Sequence, residues 1–213
     1  MAGRIISVNL GVRKVTDYAD GPGGQTGIDK IPTTDRVVVS EMGVDGDYIG
    51  NRKVHGGADQ AVYAYAREDA QWWEDELGRE IRPGAFGENI TTVGVDVTGA
   101  VIGERWGVGS AVLEVCKPRT PCMTFTGFWG VPDLIKRFTA HAAPGAYLRV
   151  VTPGEIGADD VVDIVERPDH GVTLGETFRA FNGEPDLLPR LLAASQLPEP
   201  MLAKARRRVA ADR

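Results

Sequence analysis

Residues 111–122 read Ala111-Val112-Leu113-Glu114-Val115-Cys116-Lys117-Pro118-Arg119-Thr120-Pro121-Cys122. The first six are apolar apart from Glu114 and rich in β-branched valine, which is the pattern of a strand. Two prolines then end the strand, because proline has no amide donor for a ladder and holds the residue before it extended. The chain leaves the strand presenting one thiol, Cys122, three residues after the guanidinium of Arg119. A fixed positive charge nearby favours the thiolate, the form that attacks electrophiles or binds a metal. The plainer reading is a small buried apolar cysteine beside a solvated arginine.

Short apolar or alternating runs of the same kind recur at 5–10, 36–40, 61–65 and 146–151, each bounded by glycine, proline or aspartate. The fold expected is mainly β within the α+β class, a closed or partly open β barrel with peripheral helices. Helices are expected at 67–77, where Ala70, Trp73 and Leu77 share a face and Gly78 stops it, and at 132–140. Trp72, Trp73, Trp106 and Trp129 are read as core anchors.

From Val172 the pattern becomes helical. Thr173 and Glu176 have the spacing of a capping box, and Leu174, Phe178 and Phe181 follow it. Further helices are expected at 185–194 and 198–208, so residues 1–168 are read as the barrel domain and 169–213 as a small three-helix module. The cations Lys204, Arg206, Arg207 and Arg208 suit a helix C-terminus better than an RNA contact.

Two further segments carry candidate chemistry. Arg52-Lys53-Val54-His55-Gly56-Gly57-Ala58-Asp59-Gln60 places a histidine between two cations and a Gly-Gly pair. Glycines let backbone amides approach an anion while the cations supply charge-assisted donors, but a turn before a strand would use the same residues. Pro83-Gly84-Ala85-Phe86-Gly87-Glu88-Asn89-Ile90-Thr91-Thr92 sets a carboxylate and an amide between glycines and a β-branched run, and also fits a turn entering a strand.

The 213 residues carry a formal charge of −6, which argues against broad binding to nucleic acid or to anionic membranes. No apolar run reaches membrane-span length and residues 1–10 do not resemble a signal peptide, so a cytoplasmic protein is expected. In that compartment a lasting Cys116–Cys122 disulfide is not expected, and Cys116 is read as a strand residue with no catalytic part. Two cysteines and three scattered histidines show no zinc-finger spacing.

Taken together, four segments resemble the MOSC-domain family, named for the C-terminal part of molybdenum cofactor sulfurase, in its YiiM-type branch. They are Thr26-Gly27-Ile28 with Lys30, Lys53-Val54-His55-Gly56-Gly57 with Asp59, Ala85-Phe86-Gly87-Glu88-Asn89, and Pro118-Arg119-Thr120-Pro121-Cys122. They occur in the family order, and the resemblance spans roughly residues 3 to 166. It implies a pocket for the molybdenum cofactor, molybdopterin, with Cys122 as the sulfur ligand to the metal and Arg119 beside it. Thr26, Lys30, Arg52, Lys53, Gly56, Gly57, Asp59, Glu88 and Asn89 would bind or frame the cofactor.

The activity implied is reduction of small N-hydroxylated compounds, such as hydroxylaminopurines or amidoximes, with His55 as the proton donor. No ferredoxin-like cysteine cluster or dinucleotide fingerprint is present, so an electron-donor protein is expected as partner. The resemblance also leaves room for a homodimer. Pyridoxal phosphate is associated with the domain only through full-length sulfurases, whose aminotransferase-like portion is not part of these 213 residues. The alternative function is a non-catalytic carrier of the cofactor, or of a persulfide sulfur on Cys122.

Overall fold

Strand alternation at residues 62–66 separates the molecule into two cores. A computed structural model of the chain describes residues 3–211. Its strands are β1 (Arg4–Gly11), β2 (Lys14–Val15), β3 (Gln25–Thr26), β4 (Lys30–Thr33), β5 (Val37–Ser40), β6 (Gly43–Val44), β7 (Val62–Ala66), β8 (Ile90–Val93), β9 (Arg105–Val108), β10 (Ala111–Pro118), β11 (Ala146–Thr152), β12 (Gly154–Ile156) and β13 (Val162–Glu166). The helices are α1 (Arg52–His55), α2 (Arg67–Leu77), α3 (Met123–Trp129), α4 (Leu134–His141), α5 (Leu174–Phe181), α6 (Leu188–Leu191) and α7 (Glu199–Ala211). Every residue of β7 is buried: Val62, Ala64 and Ala66 face an aliphatic core, and Tyr63 and Tyr65 face an aromatic one. A period of two sends successive side chains to opposite faces, so one strand serves both cores.

Eight strands form the main sheet in the order β13-β9-β10-β11-β7-β8-β1-β4. Its pairs are antiparallel except β7 with β8, which run parallel because α2 crosses between them. The continuous ladder is open between β13 and β4, so the sheet is not the fully closed barrel among the alternatives expected. The start of β1, next to β4, does approach the residues that lead into β13: Ile5 N–H donates to Asp160 O at 2.9 Å, and Arg4 and Val161 form an isolated bridge. A smaller sheet, β12-β5-β6, and the β2-β3 hairpin complete the strands.

The expected strand at 111–116 runs two residues further as β10, and Pro118 ends it. Glu114 is buried in this central strand because Arg105 and Arg149 each hold one of its oxygens at 3.1 Å. The helix expected at 67–77 is α2, stopped by Gly78 in the left-handed conformation at φ 61. Of the two further C-terminal helices expected, 185–194 contains a 3₁₀ turn and the single-turn α6, and 198–208 falls on α7, which begins at Glu199 and runs on to Ala211. Thr173 caps α5 by accepting from the Glu176 N–H at 3.1 Å, but Glu176 pairs with Arg190 instead of completing the box.

Of the four tryptophans, Trp73, Trp106 and Trp129 are buried. Trp72 corrects the expectation: it is 39% exposed and stacks on His141 with ring centroids 3.7 Å apart. Neighbouring helix positions lie about 100° apart, so Trp72 and Trp73 do not share the buried face of α2. The aliphatic core is continuous from Ile5, Ile90 and Leu113 of the sheet to Leu174, Leu188, Leu191 and Leu202 of the C-terminal helices. The aromatic core, with Tyr65, Trp73, Phe86, Phe125, Trp129, Phe138 and Phe178, lies on the other face of β7.

Candidate functional site

Beside the aromatic core, a cleft is lined by residues from β3, the 47–51 loop, His55, the 87–89 loop and the end of β10. Cys122 ends the proline-rich exit from β10 and is the N-cap residue of α3, a helix that no pattern in the sequence had marked. Its thiol is half-buried, and it shares the cleft lining with the His55 side chain. Burial alone would raise the thiol pKa. The His55 imidazole, the Arg119 charge and the Phe125 N–H at the start of α3 outweigh it and bring Cys122 down to about 7. At Cys116 burial, helped by Asp59, outweighs the charges of Arg149 and Lys117 and pushes the thiol up to about 12.

Arg119 is buried, donates to the Phe86 carbonyl, and lies 4.3 Å from the Phe125 ring centroid and 5.2 Å from that of Tyr63. Aromatic faces stabilise a guanidinium held away from water, and the planar group is fixed between them. Tyr63 and Tyr147 form the wall behind it, with ring centroids 5.0 Å apart. Burial raises both phenols, so both stand protonated as hydrogen-bonding walls.

A second group is organised by Asp47, which the sequence reading did not single out. Its carboxylate takes the Lys30 ammonium at 2.5 Å, the Gly11 N–H at 2.6 Å and the Asn89 amide at 3.0 Å. Burial pulls Lys30 below the usual lysine range while Asp47 opposes that shift. Asn89 also accepts from the Tyr63 N–H at 3.1 Å, so its side chain joins β7 to the loop before β8. Gly27 is required at its position because a Cβ there would collide with the Tyr48 carbonyl.

Thr26, Lys30, His55, Asn89, Arg119 and Cys122 therefore line one cleft. Arg52, Lys53, Gly56, Gly57, Asp59 and Glu88 are not part of its wall. Arg52 and Lys53 are exposed on the single-turn α1 that ends in His55, and neither makes an ion pair among the described residues. Gly57 takes a positive φ of 97, and Asp59 pairs with Arg149 at 2.7 Å. Glu88 accepts from the N–H groups of Gly84 and Phe86 and from the Thr91 hydroxyl at 2.6, 2.9 and 2.8 Å. A buried carboxylate with those partners shapes the loop that carries Gly87 and Asn89 to the cleft. Asp20 and Thr124 complete the lining, and neither lies in a motif the sequence reading had used.

A MOSC domain family profile matches residues 51–163. The uncharacterized protein YflK of Bacillus subtilis (strain 168) is 31% identical over 170 residues, covering 80% of this chain and 76% of that protein. A protein named Reductase from Gibberella moniliformis (strain M3125 / FGSC 7600) is 31% identical over 166 residues, covering 76% of this chain and 29% of that protein. The crystal structure of YiiM from Geobacillus stearothermophilus matches with a TM-score of 0.80 at 27% identity, covering 97% of this chain and 98% of that one. The profile covers more than half of the chain and the YiiM fold extends over nearly all of it, so this chain belongs to the MOSC-domain family, in its YiiM-type branch.

Proposed function

We propose that the chain binds the molybdenum cofactor in the Cys122 cleft and reduces small N-hydroxylated compounds, of hydroxylaminopurine or amidoxime type, with electrons from a partner protein. The observation that carries the reading is the meeting of an acidified thiol, a histidine and a buried guanidinium in one cleft. The residues suit such a group: a thiolate is a soft donor matched to a thiophilic redox metal, and a nearby cation keeps it ionised. Family membership and a relative named Reductase support the same direction.

When bound, the cofactor supplies the two-electron redox chemistry. The chain's own part is binding, orientation and proton delivery. Cys122 presents its sulfur, with Arg119 fixed behind it by Phe125 and Tyr63. His55, next to that sulfur, holds a proton where removal of a hydroxyl group as water needs one. Thr26, Asn89 and the Tyr63 and Tyr147 rings form polar and aromatic walls for a planar ligand. Because Asp47 neutralises Lys30, the exposed Arg52 and Lys53 are the better candidates to meet a terminal phosphate reaching solvent. Asp59 and Glu88 would act by holding the loops that frame the site.

No helix among the described residues is long and apolar enough to cross a membrane, and the reading places the reaction in the cytoplasm. The test is to express the protein in a host that makes the cofactor, measure molybdenum and pterin, and assay N-hydroxyl reduction with a chemical reductant and with a protein donor. Bound pterin with turnover supports the enzyme. Bound pterin without turnover by either donor supports the carrier, and protein without pterin or molybdenum overturns the assignment.

A further inference from the structure

Asp20 closes a ring of contacts around the thiol. Its backbone N–H donates to Thr124 Oγ1 at 3.2 Å, and that hydroxyl donates back to Asp20 Oδ1 at 2.9 Å. Thr124 is buried in the first turn of α3, two residues beyond Cys122. The other carboxylate oxygen, Oδ2, lies 3.8 Å from His55 Nε2, and the imidazole favours the ionised form of the Cys122 thiol. Asp20, His55, Cys122 and Thr124 all line the cleft.

We propose that Asp20 is a positioning residue that holds His55 against Cys122, with Thr124 as its anchor. His55 has little else to fix it. It is the last residue of a single-turn helix whose N-cap, Asn51, makes no side-chain capping bond, and its side chain is 30% exposed. An imidazole on so short an element keeps its rotamer freedom unless a neighbouring group holds the ring. The Asp20 carboxylate faces Nε2, and the thiol lies near enough for the imidazole to favour its ionised form. At 3.8 Å the carboxylate acts as a fixed charge rather than a hydrogen-bond partner. The Thr124 pair gives that charge its position, because it ties residue 20 to residues 104 positions away on the element carrying the thiol.

Two conservative substitutions separate positioning from a plain tie between two loops. Asp20→Asn keeps an oxygen that can accept from Thr124 and removes the charge facing His55, whereas Thr124→Val keeps the shape and removes the anchor. The readout is nuclear Overhauser contact between the His55 ring and the Cys122 β-protons in the full-length, cofactor-free protein. Three histidines make the assignment tractable, with His55→Gln as the control. Expected are loss of most of that contact in Asp20→Asn and Thr124→Val, its retention in Thr124→Ser, and melting temperatures in Asp20→Asn and Thr124→Ser close to wild type. An undiminished contact in Asp20→Asn overturns the proposal, even where Thr124→Val melts earlier.

The activity arm rests on the proposed reduction. There kcat is expected to fall about tenfold in Asp20→Asn with KM unchanged, a fraction of what a general acid contributes. If the ring contact is lost but wild type turns over no N-hydroxylated substrate, positioning stands and the proposed reaction fails. If wild type turns over and neither the contact nor kcat responds to Asp20→Asn, positioning fails and the reaction stands.

Discussion

Lys30 and Asp47 form an ion pair buried in the cleft wall, with side-chain exposures of 8% and 5%. Asp47 also serves the Gly11 N–H and the Asn89 amide, so removing its carboxylate orphans three donors, while removing Lys30 leaves the carboxylate two of its partners. Asp47→Ala is expected to cost about 3–5 kcal/mol, as breaking a buried pair does, and Lys30→Met to cost less. The Lys30→Met/Asp47→Leu double variant should be milder than Asp47→Ala. Urea unfolding of the three proteins checks the order.

Replacing Cys122 with alanine is expected to abolish N-hydroxyl reduction and to move the melting temperature by no more than a few degrees, because a half-buried sulfur contributes little packing. Cys116→Ala should keep turnover and lose on the order of 1 kcal/mol, since Cys116 is fully buried in β10. Activity and thermal unfolding of both variants test the pair. Full activity in Cys122→Ala would refute the thiolate assignment.

The two thiols also differ in proton affinity, about 7 for Cys122 and about 12 for Cys116. In cofactor-free protein, alkylation at neutral pH should therefore mark Cys122 alone, with a rate rising through a midpoint near 7. His55→Gln removes the imidazole that lowers Cys122, and the midpoint should move upward. Mass spectrometry of timed reactions across pH reads both outcomes.

Asp69 supplies a stability test with a defined sign. Burial, with Glu68 and Asp96 nearby, pushes its carboxyl up to about 6 from an ordinary 3.8. The folded state then binds more protons than the unfolded state between those values, so this group's contribution falls as pH rises from about 4 to about 6. Asp69→Asn removes that titration and is expected to stabilise the protein at pH 7.5 by on the order of 2 kcal/mol relative to its effect at pH 4. Parallel urea titrations at the two pH values decide it, and an equal effect at both would contradict the shift.

The proposed boundary between residues 168 and 169 separates two sequence patterns within one aliphatic core. Leu174, Leu188, Leu191 and Leu202 belong to the same buried cluster as Ile5, Leu113 and Leu148, and Phe178 stands 6.2 Å from Phe138 in the aromatic core. Arg149 adds a polar tie, donating to the Gln196 carbonyl at 2.8 Å and to Asp59 at 2.7 Å. A chain ending at Arg167 is therefore expected to lose cooperative unfolding and to bind a hydrophobic dye. A cooperative melt from that shorter chain would show that the sheet is stable alone.

Much of the local structure was legible because its causes are local. Pro118 and Pro121 ended β10 and freed Cys122, Gly78 stopped α2, and Thr173 capped α5, each through backbone constraints that act within a few residues. The resemblance brought twelve residues onto one list; Cys122, Arg119, His55, Thr26, Lys30 and Asn89 line the cleft, and Arg52, Lys53, Gly56, Gly57, Asp59 and Glu88 do not. Helix α3 was not legible. Its run Met123-Thr124-Phe125-Thr126-Gly127-Phe128-Trp129 has weak helix formers and a central glycine, and it is helical where Phe125 and Trp129 bury against the aromatic core.

What neighbours in the chain cannot specify is which charge meets which. Lys30 and Asp47 are 17 residues apart, Asp59 and Arg149 are 90 apart, and Asp20 and Thr124 are 104 apart. Whether Lys30 is a free cation for a phosphate or half of a buried pair, and whether Asp20 is a solvated loop residue or a neighbour of His55, depends on those meetings. Burial and Coulomb attraction act through space, and their strength is set by packing that forms only when β1, β4, β7 and β8 come together. Periodicity and turn chemistry along the chain were enough for five of the strand runs, the stops and the presentation of the Cys122 thiol, while the other strands, the ion pairs, the acidity of Cys122 and the company of His55 came from the fold.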